Sequence, residues 1–126
     1  MMGKVSLLGW VSIFVTIACT VVGQLLIKRG MLDVGASPLS LAALPRFVWR
    51  AGTNPFVIAG FLAALLGALA WTVAISRADL SVAYPFVGLG IVLVLVLSGL
   101  IFGESVPANR WIGVLFVCIG IAIAAR

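Results

Sequence analysis

The stretch DLSVAYPFVGLGIVLVLVLSGLIFGE, residues 79–104, decides the fold. Between Asp79 and Glu104 it holds no charge, and its only polar side chains are the hydroxyls of Ser81, Tyr84 and Ser98. A helix rises about 1.5 Å per residue, so this run is long enough for the roughly 30 Å hydrocarbon core of a bilayer. The run is continuously apolar rather than alternating, which excludes the strand pattern of an outer-membrane barrel. In lipid, backbone groups must pair within the segment, and that selects helix. The same reading extends outward. Lys4 to Lys28, Arg50 to Arg77 and Arg110 to Arg126 also enclose no charge. The last run is the shortest, but Pro107 can start its helix and Arg110 can snorkel from the first turn. The expected fold is an all-α membrane protein with four transmembrane helices, about 7–28, 55–75, 81–102 and 108–125, in one domain covering residues 1–126.

Composition agrees. Charged residues make up 9% and hydrophobic residues 64%, and mean hydropathy is +1.35, whereas a soluble domain carries about 25% charged residues. The net charge of +5 is not a nucleic-acid footprint. The Lys and Arg residues lie at the ends of apolar runs, where they anchor against lipid headgroups. Leu7 to Ile27 is long for the apolar core of a signal peptide and no A-x-A site follows, so it is expected to be a mature helix. Cys19 and Cys118 fall inside spans without metal-ligand spacing, and the chain has no His. They read as buried, unreactive thiols.

Gly30 is the expected stop of the first helix. The longest connection follows, containing Pro38, Pro45 and Pro55. Within it, Leu39 to Trp49 is either a short amphipathic helix lying in the interface or a plain loop. The turn Ser76-Arg77-Ala78-Asp79 is tight, making the second and third spans an antiparallel hairpin. Four spans put both termini on one side. Lys4, Arg77 and Arg126 then share that side, against Lys28, Arg29, Arg46, Arg50 and Arg110 on the other. The positive-inside rule therefore favours the first and third loops in the cytoplasm. A difference this small leaves both orientations open.

Polar groups within spans are costly, so the few present are informative. Thr20, Gln24 and Lys28 are spaced by four and share one helix face. They form either a polar track from mid-membrane to a headgroup layer or a set of inter-helix hydrogen bonds ending in a snorkelling lysine. Gly23 beside them lets another helix approach closely. Pro85, Gly88 and Gly90 weaken the third span and invite a bend, which suits a rocking transporter; local packing is the other account. Tyr84 is either an interfacial residue or a wall of the site. Trp10, Trp49, Trp71 and Trp111 lie near span ends, and Trp71, the deepest, is the best of them to face a site. Gly113 and Gly120 share a face of the fourth span and form either a dimer seam or an intramolecular contact.

Absences count as well. Asp33, Asp79 and Glu104 are the only acids, and all are expected in turns. No catalytic residues, metal ligands, phosphate-binding glycine loop or cofactor motif is recognisable, so an enzyme is not expected.

Val22-Gly23-Gln24-Leu25 with Lys28, Trp71 followed by Val82-Ala83-Tyr84-Pro85, Glu104, and Trp111-Ile112-Gly113-Val114 with Gly120-Ile121 form a wider pattern. The chain resembles the small multidrug-resistance and EamA-like transporters of the drug/metabolite superfamily. In particular it is similar to the small subunits of the aminoarabinose-phosphoundecaprenol flippase. The match covers nearly the whole chain except the long first loop. Exporters of cationic drugs in this group carry an essential Glu in the first helix; Thr20 stands at the matching place here. The resemblance implies a small-multidrug-resistance-like bundle in the bacterial inner membrane. It implies a homodimer, or a heterodimer with a related small subunit, flipping a polyprenyl-phosphate-linked sugar. Thr20, Gln24, Trp71 and Tyr84 would contact the substrate, with Lys28 and Arg29 toward its phosphate. The alternatives are an exporter of small cations or metabolites, and a non-transporting partner subunit.

Overall fold

The computed structural model describes residues 5–126; Lys4, expected to anchor the first span, lies outside them. All regular structure among these residues is helical: α1 (Leu7–Val34), α2 (Leu44–Thr53), α3 (Pro55–Arg77), α4 (Leu80–Phe102) and α5 (Ala108–Ala124). The helices α1, α3 and α4 are each long and apolar enough to cross a membrane. The protein is therefore a multi-pass helical membrane protein. At 17 residues, α5 reaches only about 25 Å.

Helix ends follow local chemistry. The Ser6 hydroxyl accepts from the Gly9 N–H at 3.1 Å and caps α1. Asn54 caps α3, its Oδ1 accepting from Phe56 N at 2.9 Å and Val57 N at 3.3 Å, with Pro55 at the first helical position. Gly103 ends α4 at φ 65°, a left-handed conformation that costs a side chain energy.

The first helix does not stop at Gly30. It continues to Val34 and ends at Gly35, which has φ 89°. Tertiary packing explains the difference. A Cβ on Gly30 would lie 2.6 Å from both Asn54 Oδ1 and Val57 Cγ2, so this glycine serves close approach of α3 rather than termination. Asp33 consequently lies in the last turn of α1, not in a loop. The first connection does form a helix, though it begins at Leu44 rather than Leu39. Trp49 and Val48 are exposed on it.

The centre of the molecule is α1. One side packs on α3 and the other on α4, while α5 packs only on α4 among the described residues. The α1–α3 contact is a seam of small residues. Gly9, Thr16, Gly23 and Gly30 recur every seven positions on α1, facing Gly60, Gly67 and Ala74 on α3. A seven-residue repeat keeps one stripe in contact along two inclined helices. At the crossing, a Cβ on Gly23 would sit 2.9 Å from the Gly60 carbonyl oxygen, and one on Gly60 2.8 Å from that of Gly23. The backbones touch. Helices α3 and α4 form the expected antiparallel hairpin and meet only near their turn, because α1 lies between them. Ile13, Ile17, Val21, Ala74 and Ala83 form the buried cluster.

Candidate substrate groove

Packing α1 tightly on α3 by its small-residue stripe turns the neighbouring face of α1 toward α4. That face carries Thr20, Gln24 and Lys28. With Gly90, Ile91, Val94, Ser98 and Glu104 they line a groove of about 620 Å³ between α1 and α4. The spacing of four thus has the consequence expected of it: the three side chains share one wall. Among the described residues no hydrogen bond uses the Gln24 amide, which is exposed to the groove. Gly90 brings α4 close without steric conflict. An added Cβ there would be 3.8 Å from Val21 Cγ2, an ordinary contact.

The groove ends in an ion pair. Lys28 Nζ lies 3.0 Å from Glu104 Oε1, with the two side chains 48% and 41% exposed. The hydrogen bond from Lys28, then its charge, hold the Glu104 carboxyl below the usual carboxylate range. Partial desolvation opposes this, and Ser98 and Arg110 add to the lowering. Sequence reasoning placed Glu104 in a turn and did not join it to Lys28. The two are far apart in sequence, and only the parallel course of α1 and α4 brings them together.

The remaining expected site residues lie elsewhere. Arg29 donates from Nη1 to Asp33 Oδ1 on its own helix at 2.8 Å, and its guanidinium sits 5.0 Å from the ring centroid of Phe56 on α3. Tyr84 packs edge-on against Trp71 at 5.7 Å. Trp10 meets Phe86 similarly at 5.0 Å. This aromatic cluster occupies the other end of the bundle. Trp10 and Lys28 are eighteen residues apart on α1, about 27 Å along the axis. The helix α4 continues through Pro85, Gly88 and Gly90 without interruption. Gly88 receives Ile121 of α5, whose Cδ1 would lie 3.0 Å from an added Cβ. Gly113 and Gly120 face open space, with nothing within 4 Å of a Cβ built on either among the described residues. Cys19 and Cys118 are free thiols, half-buried rather than fully buried.

The molecule is thus an apolar helical bundle with a largely apolar groove between α1 and α4 that ends at the Lys28–Glu104 pair, and the known proteins it is similar to are membrane transporters and transporter subunits. The chain is 33% identical over 98 residues to the probable 4-amino-4-deoxy-L-arabinose-phosphoundecaprenol flippase subunit ArnE of Aeromonas salmonicida (strain A449), covering 78% of this chain and 80% of the relative. The same subunit of Pseudomonas fluorescens (strain Pf0-1) is 33% identical over 62% of this chain and 66% of its own. The probable magnesium transporter NIPA9 of Arabidopsis thaliana is 32% identical over 88% of this chain but only 32% of its own length. No family model matches the chain, and no solved structure matches it significantly. The chain belongs to the family of ArnE-type flippase subunits, small membrane transporter subunits of the drug/metabolite type.

Proposed function

We propose that this chain is a four-span subunit of the bacterial inner membrane that moves a polyprenyl-phosphate-linked sugar between leaflets. The observation that carries this reading is the α1–α4 groove, with largely apolar walls, Thr20 and Gln24 along it and Lys28 beside Glu104 at its end; in this reading Lys28 stands at a headgroup level. A lipid-linked substrate can leave its chain in the bilayer while its head group follows such a track. Lys28 then meets the phosphate, and the Gln24 amide offers both donors and an acceptor to sugar hydroxyls. Arg29, held by Asp33 outside the groove, is a second cation only if it swings inward. Tyr84 and Trp71 take the sugar face at the opposite leaflet. Pro85, Gly88 and Gly90 let α4 bend during the exchange. In this reading α5 is the fourth span, shortened at its start by the snorkelling of Arg110. Gly113 and Gly120 meet a partner, either a second copy or a related subunit; the relatives' own name, "flippase subunit", supports a partner.

The similarity to a magnesium transporter favours cation export as a second reading. The groove argues against it, because its one carboxylate among the described residues, Glu104, is neutralised by Lys28. Flux of a short-chain polyprenyl-phosphate hexose in proteoliposomes tests the proposal. Lys28→Ala and Lys28→Glu should cut the rate at least tenfold with membrane expression unchanged. Transport by Lys28→Glu at the original rate refutes the phosphate role.

A further inference from the structure

We propose that Glu104 is an internal competitor for the substrate's anion, holding Lys28 in the empty groove and displaced when a phosphate takes the ammonium. The proposal rests on Lys28 being the phosphate-binding cation, and it adds a role for an acid outside that reading. The two side chains line the same end of one groove and touch at 3.0 Å. The competition is for one ammonium. In the empty groove Glu104 neutralises Lys28 by direct contact, while the positive charge of Arg110 acts on Glu104 without an ion-pair contact. A phosphodiester brings one negative charge, and two anions on one ammonium repel each other at short range. The carboxylate must leave for the phosphate to enter.

Its departure has a structural consequence. The helices α1 and α3 are joined backbone to backbone at Gly23 and Gly60, so they move as one body. No such crossing joins α1 to α4; at Gly90 the nearest α1 atoms are the side-chain methyls of Val21 and Ile17. Among the described residues, Lys28–Glu104 is the one ion pair between α1 and the α4–α5 turn. Releasing it unlatches that turn, which Gly103 and Pro107 bound, and widens the groove mouth as the head group arrives. Arg110, whose charge already reaches Glu104, receives the freed carboxylate. The anion thus opens its own entrance, and a neutral lipid cannot.

The test uses the full chain in phosphatidylcholine nanodiscs, titrated with a short-chain polyprenyl phosphodiester bearing one hexose. Glu104→Gln keeps the shape and removes the competing charge, so it should bind the probe about two- to fivefold more tightly than the original chain, the scale of a half-exposed ion pair. In the original chain the probe should lengthen the distance between spin labels placed at Leu32 on α1 and Ser105 in the α4–α5 turn, both exposed positions. Unchanged or weaker binding by Glu104→Gln, with binding lost in Lys28→Ala, overturns the competition and leaves the phosphate role of Lys28 standing. Full binding by Lys28→Ala overturns both. Should Glu104→Gln fail to fold, the distance measurement decides alone, since an unchanged Leu32–Ser105 distance on probe binding overturns the latch.

Discussion

Lys28 and Glu104 show how two side chains at opposite ends of a sequence acquire one chemistry. Each alone is an ordinary headgroup-level charge; paired, they close a groove. Their coupling has a direction in pH. The Glu104 carboxyl titrates lower in the folded protein than in the unfolded chain. Its contribution is therefore present above the ordinary carboxylate range and is lost as pH falls through the lowered value. Thermal unfolding in detergent between pH 7 and pH 3 should show a larger acid loss for the original chain than for Glu104→Gln. The difference should be small, because both side chains are about half exposed to solvent. Equal losses would mean that the pair contributes nothing to folding. Gln24 poses the complementary case. Its amide has no described partner, so Gln24→Leu should leave stability within about 0.5 kcal/mol while reducing sugar-phosphate flux. A large loss of stability would instead assign Gln24 to helix packing.

At the scale of elements, glycines with the same composition do different work. Gly60 sits at the α1–α3 crossing, where a Cβ would come 2.6 Å from Ile27 Cγ1 and 3.0 Å from the Ile27 backbone nitrogen. Gly52 in α2 has nothing within 4 Å. Gly60→Val should destabilise the bundle by about 1–3 kcal/mol or prevent folding, as overpacking does. Gly52→Ala should be neutral or stabilise by about 0.5–1 kcal/mol. Circular dichroism on heating in detergent distinguishes them. The heptad stripe is visible in the sequence once its partner is known, as Gly9, Thr16, Gly23 and Gly30. Periodicity alone did not select it, because polar Thr20, Gln24 and Lys28 form a competing stripe on the same helix. Both stripes are real: one packs on α3 and the other lines the groove, although the Thr20 hydroxyl also lies against α3, 3.4 Å from a Cβ built on Gly67.

The whole molecule leaves much of itself uncovered. Helix α5 has no buried residue, and its glycine strip at Gly113 and Gly120 meets nothing among the described residues. Lipid can cover the large side chains, whereas a strip of glycines is best covered by another helix backbone, gaining van der Waals contact. The expected outcome is a dimer joined through α5, placing two grooves near one axis. Replacing Gly113 and Gly120 together by Leu should shift the protein toward monomer and reduce transport in parallel. Single-molecule photobleaching in bilayers with a matched flux assay checks this. An original chain that is monomeric and fully active there ends the dimer proposal.

Uninterrupted apolar runs bounded by charges determined, from sequence alone, that this is a helical membrane protein. Bilayer thickness and backbone pairing leave no other structure for such runs. The placing of Thr20, Gln24 and Lys28 on one wall was equally local, a matter of 3.6 residues per turn. What faces that wall was not local. The tight turn after Arg77 makes α3 and α4 antiparallel, and the close glycine crossing draws α1 against α3 and leaves α1 between them. That arrangement separates Tyr84 and Trp71 from Lys28 by nearly the length of the bundle and brings Glu104 to its side. Turn length specifies chain reversal, whereas neighbour choice depends on which surfaces approach most closely, and only the tertiary structure decides that.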